Sequence, residues 1–270
     1  MRSRADAQAV SFNATVALLS AVALVFLVAP TIVLLIVSFT DAESLHFPPT
    51  GYSLRWYVAL LDADQLLEAA WNSLAVAVVT ALLSVVLGVA AALGIGRSAA
   101  PWARAADALF MSPLLLPALA FGFGALIFFS QIGLAQSIVA LVIGHVIVCV
   151  PFVLRNTIAA LAQLNPALLE ASESLGANPL YTFRRVTLPL IGRGVAAGAF
   201  IAFMSSFDNV PVSLFLADAR TQMLPIHMWE IIETNLDVRT AAASGVIVVA
   251  TLVLMVLAER FAGLSRSLRG

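Results

Sequence analysis

A carboxylate within an apolar run is expensive, and Asp208 sits in one, in the stretch SSFDNVPVS. An acid at the middle of a membrane helix costs roughly 2.5–3.5 kcal/mol on insertion scales, so such a residue points to a pathway or a partner. Asn209 and Pro211 beside it predict a broken helix, which is tolerated where backbone lines a cavity. Ser205 and Ser206 extend the polar stretch. The chemistry offered is contact with a cation in transit: Asp208 would meet an ammonium group, with Asn209 and Ser205 on the same pathway. Pairing of Asp208 with a second subunit, or a place near the outer interface, is the alternative.

A second polar stretch, EASESLGANPLYTFRRVTLPL over residues 170–190, carries helix punctuation instead of a reactive group. Asn165-Pro166 is a start signal, because Asn accepts from free N–H groups and Pro fits the first helical position. PALLEASESL can then run about three turns until Gly176 ends it, since Gly enters the left-handed conformation readily. Asn178-Pro179 repeats the start signal, and a second short helix runs towards Val186. Segments joining membrane helices are usually short, so a capped helix–turn–helix of about 40 residues points to docking of another protein. Arg184 and Arg185 are read as topology charges that can also meet an acidic partner edge.

Several chemistries are excluded. All 14 basic residues are Arg, and without Lys there is neither a P-loop nor a Schiff base. The single Cys149 rules out an intramolecular disulfide and a Cys-rich zinc site. His145 is read as a helix-packing hydrogen bonder in preference to a proton relay. His46 and His227 are isolated, without HExxH spacing, so no metal site is expected. An intramembrane protease would need a nucleophile motif near His145, and none is present. An ion-coupled secondary transporter stays the less favoured alternative: it would account for six spans and Asp208, but usually shows internal repeats and several intramembrane charges, and no repeat is seen.

These residues need a scaffold in lipid. With 61% hydrophobic and 11% charged residues and a mean hydropathy of +1.02, the chain cannot solvate a globular surface. The reading is a single all-α integral membrane domain over residues 1–270. Its six spans cover about 14–38, 72–95, 107–129, 137–154, 194–215 and 241–258, each near the roughly 20 residues a bilayer requires. Pro113 and Pro117 predict a kink in the third. With both termini cytoplasmic, Arg2, Arg4, Arg97, Arg104, Arg155, Arg184, Arg185, Arg193, Arg260, Arg266 and Arg269 fall inside. Only Arg55, Arg220 and Arg239 fall outside, so eleven face three. The insert, about 155–193, is then cytoplasmic. The outer segments hold Asp41, Glu43, Asp62, Asp64, Glu68, Asp218, Glu230, Glu233 and Asp237, read as a solvated rim or a cation-accepting entry surface. The run Ser53–Leu67 is expected to lie flat on the interface, anchored by Trp56 and Tyr57. Gly194 and Gly198 (GVAAG) make a close-packing match.

Glu170-Ala171-Ser172, then Gly176, then Val186-Thr187-Leu188-Pro189 resembles the EAA loop of bacterial ABC importer permeases, with Ser172 at a position usually Ala. FPPTGYSLRWYVALL, WNSLAVAVVTALLSVVLG, MSPLLLPALAFG, SFDNVPVSLFL and MLPIHMWEII are similar to polyamine-type permeases. The resemblance implies a type I ABC importer permease fold whose first insert helix is the coupling helix, with Glu170, Ala171, Ser172, Gly176 and Ala177 against a cytoplasmic ATPase dimer. It also implies a second, homologous permease in a heterodimer, an extracytoplasmic solute-binding protein and a bacterial inner-membrane location. The chain itself would bind no cofactor, with ATP and Mg held by the ATPase, and no nucleic acid is expected. Leu114 stands where many polyamine permeases carry an acid, which keeps opines, phosphonates, ferric iron and thiamine open as solutes.

Overall fold

The computed structural model describes residues 2–96, 98, 100–218, 220–234 and 238–262. Arg97, Asp237, Arg266 and Arg269, counted above as topology or rim charges, lie outside the described residues. The described chain is nearly all helix: α1 (Arg2–Val37), α2 (Arg55–Ala59), α3 (Asp64–Ile95), α4 (Pro101–Leu115), α5 (Ala118–Gln131), α6 (Ile138–Ala162), α7 (Pro166–Ser174), α8 (Pro179–Thr182), α9 (Leu188–Phe207), α10 (Val210–Leu216), α11 (Leu224–Thr234) and α12 (Val238–Ala262). Among the described residues five helical stretches are long and apolar enough to cross a bilayer, and the α4–α5 pair meets the same length and composition only when its two helices are taken together.

Prolines decide where spans break. Leu116 precedes Pro117 and takes an extended conformation (φ −82°, ψ 144°), because a residue before proline is disfavoured in the α region. The expected kink is therefore a 105° turn between two helices. The fifth span also differs from a single run over 194–215. Helix is continuous from Pro179 to Phe207 and then stops at Asp208. Pro211 accounts for the stop: its ring would clash with the Phe207 carbonyl, four residues back. Pro189 is accommodated instead by a π turn over Phe183–Thr187, where the Leu188 N–H bonds to the Phe183 carbonyl.

The chain divides into two compact units, residues 1–63 with 231–252 and residues 64–230 with 253–270. In the first, the Tyr57 hydroxyl lies 2.7 Å from Ser38 Oγ, and the Trp56 indole donates to the Ala42 carbonyl at 3.0 Å. Tyr57 thus turns into the protein, away from the interface anchoring expected of it. The run after Ser53 is not one flat helix either; it is α2, a 3₁₀ turn over Leu60–Asp62 and then α3.

In the second unit, α3, α6 and α9 pack closely against one another, and α10 packs on α5 and α6. Without a hydrophobic drive between helices in lipid, small residues set these approaches. A Cβ on Gly198 would stand 2.8 Å from Val153 Cα, and one on Gly194 would stand 2.6 Å from Ala160 Cβ. Both GVAAG glycines therefore meet α6. Gly198→Leu is expected to cost about 1–3 kcal/mol by overpacking, read as a lowered thermal midpoint of the purified protein. An unchanged midpoint would show that α9 is free to move off α6.

Candidate functional site

The insert is built from local bonds. The Asn165 side chain accepts from Ala167 N at 3.1 Å, and Asn178 accepts from Tyr181 N at 2.8 Å, so each short helix is capped by its own Asn. Gly176 takes φ +80°, with Gly176 N–H donating to the Glu173 carbonyl at 2.9 Å and Ala177 N–H to the Ser172 carbonyl at 3.1 Å. That left-handed stop closes α7 with its last carbonyls satisfied.

The faces of this insert divide sharply. Glu170, Ala171 and Gly176 are exposed, Ala177 is half-buried, and the neighbouring Leu175 side chain is 88% exposed. Ser172 is buried instead, its Oγ 2.8 Å from Thr182 Oγ1, which staples α7 to α8. Ser172→Ala is expected to cost about 1 kcal/mol of local stability by orphaning Thr182. Pairing it with Thr182→Val should recover most of that loss, measured by proteolysis of the insert. If the single variant resists proteolysis as well as the parent, the staple adds no rigidity. Arg184 and Arg185 are exposed in the π turn and form no ion pair among the described residues.

Arg155 is more than a topology charge. Its guanidinium lies 3.0 Å from Asp107 Oδ2 and its Nε 3.2 Å from Met111 Sδ, which ties α4 to the end of α6 that leads into α7.

The second polar feature is the break between α9 and α10. Asp208 ends α9 with an exposed side chain that has no ion-pair partner among the described residues. The half-buried Asn209 is consumed locally, accepting from Val212 N at 2.9 Å to cap α10. Ser205, half-buried, lies one turn earlier on α9, where Cys149 of α6 donates to the Ala202 carbonyl at 3.4 Å. The structure therefore brings Asp208 and Asn209 together at the break, with Ser205 one turn before it. His145 on α6 is fully buried, with Nδ1 2.8 Å from Ser206 Oγ and Nε2 3.1 Å from Ser213 Oγ. The sequence suggested a packing hydrogen bond here but offered no sign of its two partners, 61 and 68 residues away.

Beyond α10 lies a cavity of about 370 Å³ lined by Ser213, Ala217, Asp218, Gln222, Met223 and Glu230, among others. Asp218 Oδ1 accepts from Thr221 N and Oγ1, both at 2.7 Å, and from Arg220 N at 3.0 Å. These bonds, led by the one from the Thr221 hydroxyl, hold its carboxyl below the usual carboxylate range. Gln222 donates to Glu230 at 2.6 Å, and the Asn72 amide donates to the Gln222 carbonyl at 3.3 Å. The sequence puts Asp218 and Glu230 on an outer rim and gives no sign of Gln222; the Asp-x-x-Thr spacing is the local mark of the closed turn. His227 lies 4.0 Å from Glu230, and His46 is exposed. Among the described residues no three His, Cys, Asp or Glu side chains converge as a metal would require.

A family model described as the inner membrane component of binding-protein-dependent transport systems matches residues 84–266, more than half of the chain. The chain is 26% identical over 237 residues to the spermidine/putrescine transport system permease protein PotC of Escherichia coli strain K12, covering 88% of this chain and 89% of that one. It is 29% identical over 208 residues to the putrescine transport system permease protein PotI of the same strain, 74% of each chain. A solved bacterial ABC transporter involved in import of the acidic polysaccharide alginate has a chain that superposes with a TM-score of 0.73, covering 97% of this chain and 98% of that one. Identity there is 18%, so the likeness is one of fold.

Proposed function

Since this chain belongs to the family of inner membrane components of binding-protein-dependent transport systems, we infer from its two polar features how it carries out import. It is a multi-pass inner-membrane permease subunit with the ABC importer permease fold, and it moves a small solute. On our reading the solute is a polyamine or similar organic cation, supported by the likeness to PotC and PotI and by the unpaired Asp208 at a helix break. Asp208, Asn209 and Ser205 belong to the solute pathway. Leu114, exposed on α4, favours a second reading in which the same machine carries another solute, such as an opine, a phosphonate, ferric iron or thiamine.

The observation that carries the coupling role is the capped insert, with α7 bonded to α8 through Ser172 and Thr182. α7 is capped at both ends and stapled to α8, and it presents Glu170, Ala171, Leu175 and Gly176 outward. A capped helix of this kind transmits rigid-body movement, and a flexible loop does not. We place it in a groove on a cytoplasmic ATPase dimer, which binds ATP and Mg. Ala177 lies at the edge of the contact and Ser172 stiffens it from within. The Arg bias puts both termini and the insert in the cytoplasm. A second, homologous permease completes the pathway, and a solute-binding protein delivers solute from the other side. ATP closing the ATPase pair favours one of two global states, so access alternates.

The deciding experiment is a tagged pull-down from native membranes in mild detergent, with every co-purifying chain identified by mass spectrometry. The expected partners are a P-loop ATPase and a second six-span protein. Recovery of this chain alone, active in transport with an ion gradient and no ATP, would overturn the reading.

A further inference from the structure

We propose that His145 is the positioning residue that fixes α10 against α9 and so sets the shape of the solute path at the Asp208–Asn209 break. The proposal rests on the reading of that break as part of the path.

Main-chain bonding across the break is sparse. Asn209 N–H reaches the Ser206 carbonyl at 3.4 Å and Val210 N–H the Asp208 carbonyl at 3.0 Å, and neither continues the helical ladder. The angle between the helices is therefore left to side chains. Glycines admit α10 closely. A Cβ on Gly122 of α5 would lie 2.6 Å from the Pro211 carbonyl, and one on Gly144 of α6 would lie 2.6 Å from Leu216 Cδ1. These contacts set how near the two ends of α10 come to α5 and α6.

His145 supplies direction. It grips Ser206 in the last turn of α9 and Ser213 in α10 at once, from a third helix. A neutral imidazole offers one donor and one acceptor, and a serine hydroxyl can serve as either, so the three side chains satisfy one another without a charge. The consequence reaches the cavity, because Ser213, Leu214 and Ala217 of this same short segment form part of its wall. Tilting α10 would reshape both the cavity wall and the break that carries Asp208.

The test joins a distance to a rate, in the assembled transporter. Spin labels on cysteines at the exposed positions Ile201 of α9 and Leu214 of α10 report the angle between the helices. For His145→Leu the distance distribution should shift or broaden. The maximal uptake rate per assembled complex should fall roughly 2- to 30-fold, the range expected for mutations that alter coupling between packed elements. The half-saturating concentration of loaded binding protein should stay unchanged. His145→Gln, which keeps a donor and an acceptor, should restore both readouts. The triple variant H145L/S206A/S213A leaves no orphaned hydroxyl and so should assemble at parental levels, while uptake stays low. An unchanged distance distribution in His145→Leu would overturn the proposal, as would full uptake by the triple variant when His145→Leu itself is impaired. A shifted distance with undiminished uptake would uphold the clamp and overturn the pathway reading of the break instead.

Discussion

Gly176→Val should reduce solute uptake by about tenfold or more, a free-energy change of at least about 1.4 kcal/mol, while the protein accumulates normally in the membrane. Two effects act together. Position 176 holds φ +80°, where a side chain costs roughly 1–2 kcal/mol per residue, and a β-branched one is worse placed still. Relaxing that strain reopens the end of α7 and loses the bonds from Gly176 and Ala177 to the Glu173 and Ser172 carbonyls. The second effect is contact. A Cβ at this position meets nothing within 4 Å among the described residues, so steric obstruction would fall on a docked partner. Gly176→Asn separates the two, since Asn tolerates the left-handed conformation but still carries a side chain. Loss of uptake in both variants assigns the effect to close approach, and loss in Val alone assigns it to the helix stop. The measurement is uptake into vesicles together with the amount of ATPase recovered on the tagged permease. Glu170→Lys, a charge reversal on the same exposed face, should act in the same direction. Normal transport by Gly176→Val would remove α7 from coupling.

Asp208→Asn should leave assembly intact and cut transport efficiency by about ten- to a hundredfold, since a hydrogen bond to a charged group is worth about 1.5–3 kcal/mol. The substitution keeps the shape and removes the charge. The exposed side chain holds no ion pair among the described residues, so little internal bonding is lost with it. Asp208→Glu keeps the charge and should retain most of the rate. Uptake kinetics in proteoliposomes, run with a polyamine over a range of concentrations, read the change directly. Parental kinetics in Asp208→Asn, with the ATPase still stimulated, would take the carboxylate off the path and point to pairing with the second subunit.

The two features were unequally legible. Both Asn caps, the stop at Gly176 and the interruption near Pro211 could be read along the chain, because each is satisfied within about four residues. The ends of the spans were less so. α1 starts at Arg2 and α3 at Asp64, well before the apolar runs begin, since a helix continues into polar surroundings until a capping or breaking residue stops it. The inward turn of Tyr57 was also hidden. An aromatic residue beside a span suits a membrane interface equally well, and only the position of Ser38 shows which way it faces.

By itself the sequence determined that the chain lives in lipid, that it lacks the lysine of a P-loop, and that one polar insert is a capped pair of short helices. Tertiary structure alone decided that His145 joins Ser206 to Ser213, that Asp107 pairs with Arg155, and that Asp218, Gln222 and Glu230 share one cavity. The physical reason is rotational. A helix that is apolar on every face carries no pattern saying which side meets its neighbour. In lipid that choice falls to contacts such as Gly88 and Gly198 against Val153, made between residues far apart in the chain. Once those contacts set each helix's rotation, the few polar side chains it carries are brought to their partners.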